Sequence, residues 1–506
     1  MSKKRLLFEV DMKWMRCTMR ILNQQMLAGH GNIQGRKNML DILEAGLQAA
    51  NPHYNTLDLF RREGDFLYIG GSEFEAENDP RSGTEVIDLR ETDRIIVVGA
   101  AKGIQHIVTA IEEKLGDVLT GGHVIGKYGD DLSALKKIGS TLAAHPTPDK
   151  NCVLGCEKIL EWTKEITERD VVITVMGNGC SSLLTYPAEG ISVEEVAELT
   201  HIMQIEKGVP TYELNIIRNH IDRLKGGRIT KLFHPARLIC LDCIDVNDPY
   251  TQGVRGDWYS LLKKNYWLHN LSEGSTFQEA VEIIEKYDMS NRCASSILSH
   301  LKEARPEDET VHFDKFIKLN FRVFGITPFS RNFMEAAKCK ARELGYNALT
   351  LAFCEGVESQ QAARVFSSIA KQSASYGEPF KSPVALFVGE EMVVATGNSS
   401  GVGGRNQEYA LMFATLIAGY DNITVGAVDT DGTDGPGGLD LEGAPKCLGG
   451  GIVDGFTMER ALKAGIDVKS ALQTHATSEA LWRIDCGIHI TQNVSLGDLT
   501  AILIDK

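Results

Sequence analysis

RIIVVGAAKGIQHIVTAIEEKL, residues 94–115, joins an apolar run, a glycine turn and a helical pattern with no spacer between them. Residues 94–98 are rich in β-branched side chains and unbroken by polar residues after Arg94, which suits a strand buried on both faces. Gly99 closes it. From Lys102 onward, Ile104, Ile107, Val108, Ile111 and Leu115 recur at the spacing of one helix face. A strand feeding a helix through a glycine turn is the repeating unit of a parallel, helix-covered sheet.

The unit recurs outward from there. A strand is predicted around His123–Ile125, then the Pro-punctuated loop HPTPD (145–149) and a helix through Cys156–Ile166. VVITVM (171–176) is a second buried strand, followed by GNGCSS (177–182). Ser192 and Glu195 form a capping box that starts a helix of about four turns. A further helix near 212–225 stops at Gly226-Gly227, and ARLICLDCIDV (236–246) is another buried strand. Earlier in the chain, residues 35–62 read as helical, with Met39, Leu40, Ile42, Leu43 and Leu47 on one stripe that ends before Asn51-Pro52. Later come helices at 331–344 and 358–375, strands at 347–353, 384–389 and 391–396, and a last strand in SLGDLTAILI. The fold class expected is α/β: two α/β domains, the first with a parallel sheet covered by helices on both faces. The polar, Pro-containing stretch 303–312 is the best boundary candidate, dividing residues 1–305 from 306–506.

Bulk properties narrow the class. At 506 residues the chain exceeds one ordinary core. Its 43% apolar and 24% charged residues are normal for a soluble globular protein. A net charge of −15, from 53 basic and 68 acidic side chains, argues against nucleic acid or an anionic membrane as the main partner. Glu9, Asp11 and Lys13 interrupt the N-terminal apolar residues, so no signal peptide is expected, and no apolar run reaches a membrane span of about 18 residues. The 11 scattered cysteines fit a reducing cytoplasm. Cys240 and Cys243 form a C-x-x-C on a strand, pointing to opposite faces, and read as reduced core thiols.

The candidate chemistry lies in loops at strand ends. In GGRNQE (403–408) a glycine pair precedes Arg405, whose planar fork suits phosphoryl oxygens, although Glu408 could instead pair with it. In DTDGTD (429–434) the carboxylates of Asp429, Asp431 and Asp434 crowd into six residues just past a strand, a set that calls for a cation or hydrogen-bond donors. These are candidate Mg²⁺ ligands or a base. Gly177, Asn178, Gly179, Ser181 and Ser182 would offer bare N–H groups and hydroxyls to a phosphate, as would Gly403 and Gly404. Lys102, before a helix, is a cation at the unfavourable end of the dipole and suggests an anion beside it. Arg218, Lys225 and Arg228 supply positive charge for an acidic substrate, or serve a helix C-terminus.

These motifs together resemble the class II glycerate 2-kinases, the family with a C-terminal MOFRL-type domain whose bacterial members were once labelled hydroxypyruvate reductases. VVGAAKG resembles the family's V-x-G-x-G-K-A, HPTPD its H-P-x-P-D, and MGNGCSSLLTYPAEGIS its S-G-G-G-S-A-L-L-x-x-P-x-x-G-I-T. IIRNHIDRLKGGRI is similar to I-R-K-H-L-S-x-I-K-G-G-R-L, GGRNQE matches outright, TDGTDGPGG resembles T-D-G-x-D-G-P-T-D, and GGGIVDG resembles A-G-A-x-V-D-G. The resemblance implies a Rossmann-like first domain, a MOFRL-type region over about 384–506, and an active site in the cleft between domains. It implies transfer of the γ-phosphate of ATP, with Mg²⁺, to a hydroxyl of glycerate or a related sugar acid, in the cytoplasm and in a possible homo-oligomer. Lys102 and Arg405 fall on the family's catalytic positions. On this reading Asp429 and Asp431 join catalysis, while Lys225, Arg228, Asn406 and Glu408 hold the substrate. The chain departs from the family at the Ser-Gly loop (Met176 to Ser181), at Asn219, at Asp242 to Asp248 with VRGDW and a segment rich in Trp, Tyr and His, and at HATSEALW and TQNVSLGD. A hydroxypyruvate reductase would need G-x-G-x-x-G, which GAAKG does not supply. A non-catalytic relative that binds a sugar acid or nucleotide is the third reading.

Overall fold

The computed structural model describes residues 19–244, 257–328, 332–493 and 496–506. The basic N-terminus and most of the divergent stretch from Asp245 through VRGDW lie outside them. Among the described residues fifteen strands follow in chain order: β1 (Phe60–Glu63), β2 (Phe66–Ile69), β3 (Glu85–Asp88), β4 (Ile95–Ala100), β5 (Gly121–Lys127), β6 (Ile138–Ala143), β7 (Val171–Met176), β8 (Arg237–Asp242), β9 (Phe321–Gly325), β10 (Asn347–Glu358), β11 (Val384–Val393), β12 (Ile423–Asp429), β13 (Gly450–Asp454), β14 (Gly487–Ile488) and β15 (Asp498–Ile504).

The first large sheet has the order β6-β5-β4-β7-β8-β9, with every pairing parallel. The order reverses between β4 and β7, and in such a sheet the crevice beyond the carboxyl ends at that reversal is where ligands bind. Alternate residues feed two cores. Ile96, Val98, Val172, Leu238 and Cys240 join one, and Ile95, Val97, Ile173, Ile239 and Cys243 the other. Cys240 and Cys243 thus point to opposite faces as buried free thiols. Helices Gln105–Leu115 and Lys150–Glu161 bring apolar faces to these two cores. β1–β3 form a small antiparallel sheet at one side.

The second sheet, β10-β11-β15-β12-β13-β14, is mixed. Only β10 and β11 run parallel; β15 enters antiparallel between β11 and β12. The strands read separately at 384–389 and 391–396 are the single strand β11. Helices Ser359–Tyr376 and Arg405–Leu416 cover one face. The other face is covered by Phe333–Glu343 and by the early helix Ile33–Ala49, whose Met39, Leu43 and Leu47 pack with Phe387, Val428 and Leu503.

Two boundaries therefore differ from those read in the sequence. The stripe ends before Asn51-Pro52 as read, in helix Ile33–Ala49, but the rest of 35–62 holds a second helix, Pro52–Leu59, and Phe60 already begins a strand. The division at 305–306 does not separate the sheets, because β9 lies beyond it yet completes the first sheet, while Ile33–Ala49 lies before it yet packs on the second. A polar, Pro-containing stretch marks a surface segment, and 303–312 is one that interrupts the first lobe. A cluster of helices, Val193–Thr200, Thr211–His220, Phe277–Lys286 and Ser295–Glu303, forms a separate apolar core beside the first sheet. The Ser192–Glu195 capping box is present, and the helix it starts widens and runs on to Glu206. The helix at 212–225 ends earlier than its glycine stop, at His220. No described helix is long and apolar enough to cross a membrane.

Candidate active site

Lys102 leaves the carboxyl end of β4 beside that of β7, at the reversal of strand order. Its N–H donates to Asn178 O at 2.9 Å. Asp130 pins the same turn from below, taking Gly103 N–H at 3.0 Å and Lys127 N–H at 2.9 Å on one oxygen. Gly179 has a positive φ of 87°, and a Cβ there would meet Lys102 Cγ at 2.6 Å and His145 Cδ2 at 3.2 Å. The glycine of GNGCSS thus makes room for the lysine stem.

The second lobe meets this edge with the loops after β11 and β12. Arg405 is the first residue of helix Arg405–Leu416 and Gly404 its N-cap. A Cβ on Gly404 would collide with the Asp434 carboxylate, so the glycine allows that carboxylate to sit on the helix end. Asp434 accepts from Asn406 N–H at 3.2 Å and Gln407 N–H at 2.9 Å, satisfying two of the helix's free donors.

Lys102, Lys127 and His145 from the first lobe share one cavity of ≈ 510 Å³ with Arg405, Asp429 and Thr433 from the second. Lys102 Nζ pairs with Asp431 Oδ2, and Lys127 Nζ donates to Thr433 Oγ1 at 3.0 Å. The anion that the position of Lys102 suggested is thus a carboxylate from the other lobe. Arg405 is gripped by three: Asp498 through Nε and Nη2, Glu391 at 2.9 Å and Asp429 at 3.4 Å. Glu408 is not its partner. That side chain is buried against Gln360 Nε2 at 2.7 Å and His475 Nδ1 at 2.5 Å.

Burial and mutual repulsion separate the two central aspartates. Burial works against ionisation of Asp431, but Lys102 and Lys127 hold it below the usual carboxylate range. Burial and the neighbouring Asp431 push Asp429 up, against the pull of Lys102 and Arg405. Burial also raises Asp498 in spite of Arg405. Lys102 stays charged, since Asp431 and Asp429 outweigh its own burial. His145 is held neutral by burial and by Lys102 and Lys127.

Several residues read as ligand-binding have structural partners instead. Lys225 Nζ is fully engaged by Asp222 Oδ2 at 2.6 Å, Leu184 O at 2.7 Å and Thr185 Oγ1 at 3.1 Å, and is 1% exposed. Arg228 donates to the carbonyls of Asn219, Lys225 and Asp308, closing the turn around it. Asn406 is buried and its amide donates to Asp434 at 3.3 Å. Asp434 caps the helix that Arg405 begins. Among the described residues there is no cluster of three His, Cys, Asp or Glu side chains able to hold a metal by themselves. Ser182 Oγ donates to Ala144 O at 3.3 Å and Ser181 Oγ bonds His269 Nε2 at 2.9 Å. Asp498, Glu391, Lys127 and His145 were not singled out as site residues. The sequence did carry signals for two of them, since Asp498 ends TQNVSLGD and His145 opens HPTPD.

The Lys225 assignment is directly testable. Lys225→Met leaves the buried Asp222 carboxylate without its cation, and is expected to cost about 3–5 kcal/mol of stability. Urea unfolding measures this, while the substrate KM of the folded fraction should stay near wild type.

The chain matches the domain of unknown function DUF4147 over residues 38–255 and the MOFRL family over residues 384–494. It is 29% identical to a glycerate 2-kinase of Pyrococcus horikoshii over 88% of this chain and 93% of that protein. Identity is also 29% to a D-glycerate 2-kinase of Thermotoga maritima, over 80% of this chain and 89% of the other. The crystal structure of a Thermotoga maritima glycerate kinase superposes with a TM-score of 0.65 at 28% identity, over 92% of this chain and 99% of that one. The chain belongs to the glycerate 2-kinase family. Both family domains contribute to the cleft: Lys102, Lys127 and His145 lie within the DUF4147 match, and Glu391, Arg405 and Asp429 within the MOFRL match. Family membership thus accounts for the motifs at the cleft as well as for the two sheets.

Proposed function

We propose that the protein transfers the γ-phosphate of ATP to a hydroxyl of glycerate or a closely related small sugar acid. One observation carries the reading: Lys102 and Arg405, more than three hundred residues apart in sequence, face one cavity from different lobes. Phosphoryl transfer asks a protein mainly for positioning and for charge placed where the transferring group develops it. The acceptor oxygen attacks the γ-phosphorus, the bond to the ADP oxygen breaks, and the acceptor's hydroxyl proton must leave. Lys102 and Lys127 supply positive charge from one wall and Arg405 from the other. Gly403 and Gly404 line the cavity beside Arg405 and leave its backbone open to phosphate oxygens. Gly177 to Ser182 border the Lys102 turn and support it.

The carboxylates fit Mg²⁺. Asp429 lines the cavity and Asp431 is paired with the cavity-lining Lys102, so both offer hard oxygens at its edge, and Mg²⁺ at kinase sites is held by one or two carboxylates plus the phosphates rather than by a full protein cage. When bound, the ion would neutralise phosphate charge. Asp431, ionised beside Lys102, is the better placed to hold it, which leaves Asp429 to take the hydroxyl proton.

The test is ADP release across a panel of hydroxy acids, followed by phosphorus NMR of the product to identify the esterified hydroxyl. D-glycerate is expected to be among the turned-over acids. Absence of ADP release with every acid, from protein that is folded and binds ATP, would favour a binding role without transfer.

A further inference from the structure

Arg218 is 4% exposed, and its three hydrogen bonds all go to uncharged side-chain oxygens. Nη1 donates to Asn215 Oδ1 at 3.1 Å, and Nη2 to Gln204 Oε1 at 2.9 Å and Thr200 Oγ1 at 3.4 Å. Among the described residues, other deeply buried cations are closed by an anion or by carbonyls: Arg36 has Asp454, Lys225 has Asp222, Arg322 has Glu75 and Glu85, and Arg20, also 4% exposed, donates to the Leu47 and Thr491 carbonyls and the Thr491 hydroxyl. Arg228 lacks a carboxylate but is closed off by three backbone carbonyls. Arg218 has neither arrangement. Among the described residues no carboxylate pairs with it and its Nε–H has no acceptor. A guanidinium taken out of water without a counter-anion is costly, and such groups persist where an anion completes them. Burial lowers Arg218 to about 10, with only Cys180 acting in the opposite direction.

Its location supplies the second observation. Gln204, which holds Nη2, lines the cleft, as does Thr211 at the start of Arg218's own helix. The charge of Arg218 reaches His145, which lines the cleft beside Lys102, and also His269, which bonds Ser181. The guanidinium therefore sits one side chain behind the cleft wall, on the helical side, away from the Arg405 cluster. Lys225 and Arg228, the other cations of the same segment, are already committed to the fold.

We infer that Arg218 binds the carboxylate of the acceptor hydroxy acid, with Gln204 orienting the guanidinium towards the cleft. Given the kinase reading on which this rests, the acid's charged head lies against Arg218 and Gln204, and its hydroxyl extends towards Lys102 and the phosphate. The Nε–H, which has no acceptor, can give a charge-assisted hydrogen bond to a carboxylate oxygen. An acceptor must then carry an anionic head a short carbon chain away from its reacting oxygen. Small hydroxy acids meet that requirement, and neutral polyols of the same size do not.

The experiment is calorimetric titration of full-length protein with D-glycerate and with its neutral isostere glyceramide, run beside the ADP assay. Arg218→Met is expected to weaken D-glycerate binding about 100-fold, while ATP affinity and the weak binding of glyceramide stay unchanged. Arg218→Lys keeps the charge without the Nε–H and should recover part of the loss. If Arg218→Met does not fold, Gln204→Ala takes its place, with about a tenfold loss expected from one missing hydrogen bond. Wild-type D-glycerate affinity in folded Arg218→Lys and Gln204→Ala overturns the inference, as does a wild-type chain that binds D-glycerate no better than glyceramide. The two readings fail separately. Arg218-dependent binding without ADP release removes the kinase reading and keeps the anion site, whereas ADP release with an unchanged KM for D-glycerate in the variants does the reverse.

Discussion

Replacing Lys102 with methionine is expected to lower kcat by about 10³-fold, the scale seen when one preorganised cation or donor is removed from a transferring group. The stem of methionine fits the space that Gly179 leaves, so the turn should hold: its backbone bond to Asn178 and the Asp130 bond to Gly103 do not involve the side chain. What goes is the charge. Asp431 would lose its closest cation but keep Thr433, whose N–H and hydroxyl both donate to its other oxygen, at 2.6 and 2.8 Å. The variant should therefore fold, bind substrate acid nearly as well as wild type, and fail in the chemical step. Steady-state ADP release at saturating D-glycerate measures it. Turnover above a tenth of wild type would mean that Lys102 is only an inter-lobe ion pair.

Arg405→Gln should combine two losses. Its guanidinium holds Asp498, Glu391 and Asp429 together, and Asp498 is fully buried. Removing the cation leaves these carboxylates facing one another in low dielectric, a loss of about 3–5 kcal/mol. It also takes a positive group from the cleft wall, about 10²–10³-fold in kcat. Denaturant unfolding and turnover of the folded fraction separate the two. Arg405→Lys restores one charge but cannot span three carboxylates, so stability should recover further than activity. If Arg405→Gln lost stability while its folded fraction kept full turnover, the residue would be purely structural.

The sheet that carries Lys102 was legible because its signal is local: an apolar run, a glycine and a helical stripe lie within residues 94–115. So were the strand ends that hold Lys102, Arg405 and Asp431. What short spacing could not show is which partner each polar group would find. Asp434 is the same residue type as Asp431 and three residues away, yet one caps a helix and the other meets a lysine from another lobe. Lys225 and Arg228 read as substrate ligands because a basic motif looks the same whether its charge faces solvent, a ligand or a buried carbonyl. The cluster around Arg405 draws on residues 391, 429 and 498, from three separate strands of one sheet, and only the mixed order of that sheet brings them together. A strict alternation of strands and helices predicts a parallel sheet, and the insertion of β15 between β11 and β12 breaks that rule without any local mark.

The position of β15 and of helix Ile33–Ala49 has a consequence for biogenesis. A segment near the beginning of the chain and a strand near its end both belong to the core of the same lobe. During synthesis that early helix must wait, its apolar stripe uncovered, until nearly everything else has left the ribosome, and contacts so distant in sequence slow folding. The first parallel sheet can assemble in the meantime. The MOFRL half expressed without residues 33–49 would therefore lack one wall of its own interior and would be prone to aggregate, and a nascent chain stalled before Asp498 should recruit chaperones through the same bare surface.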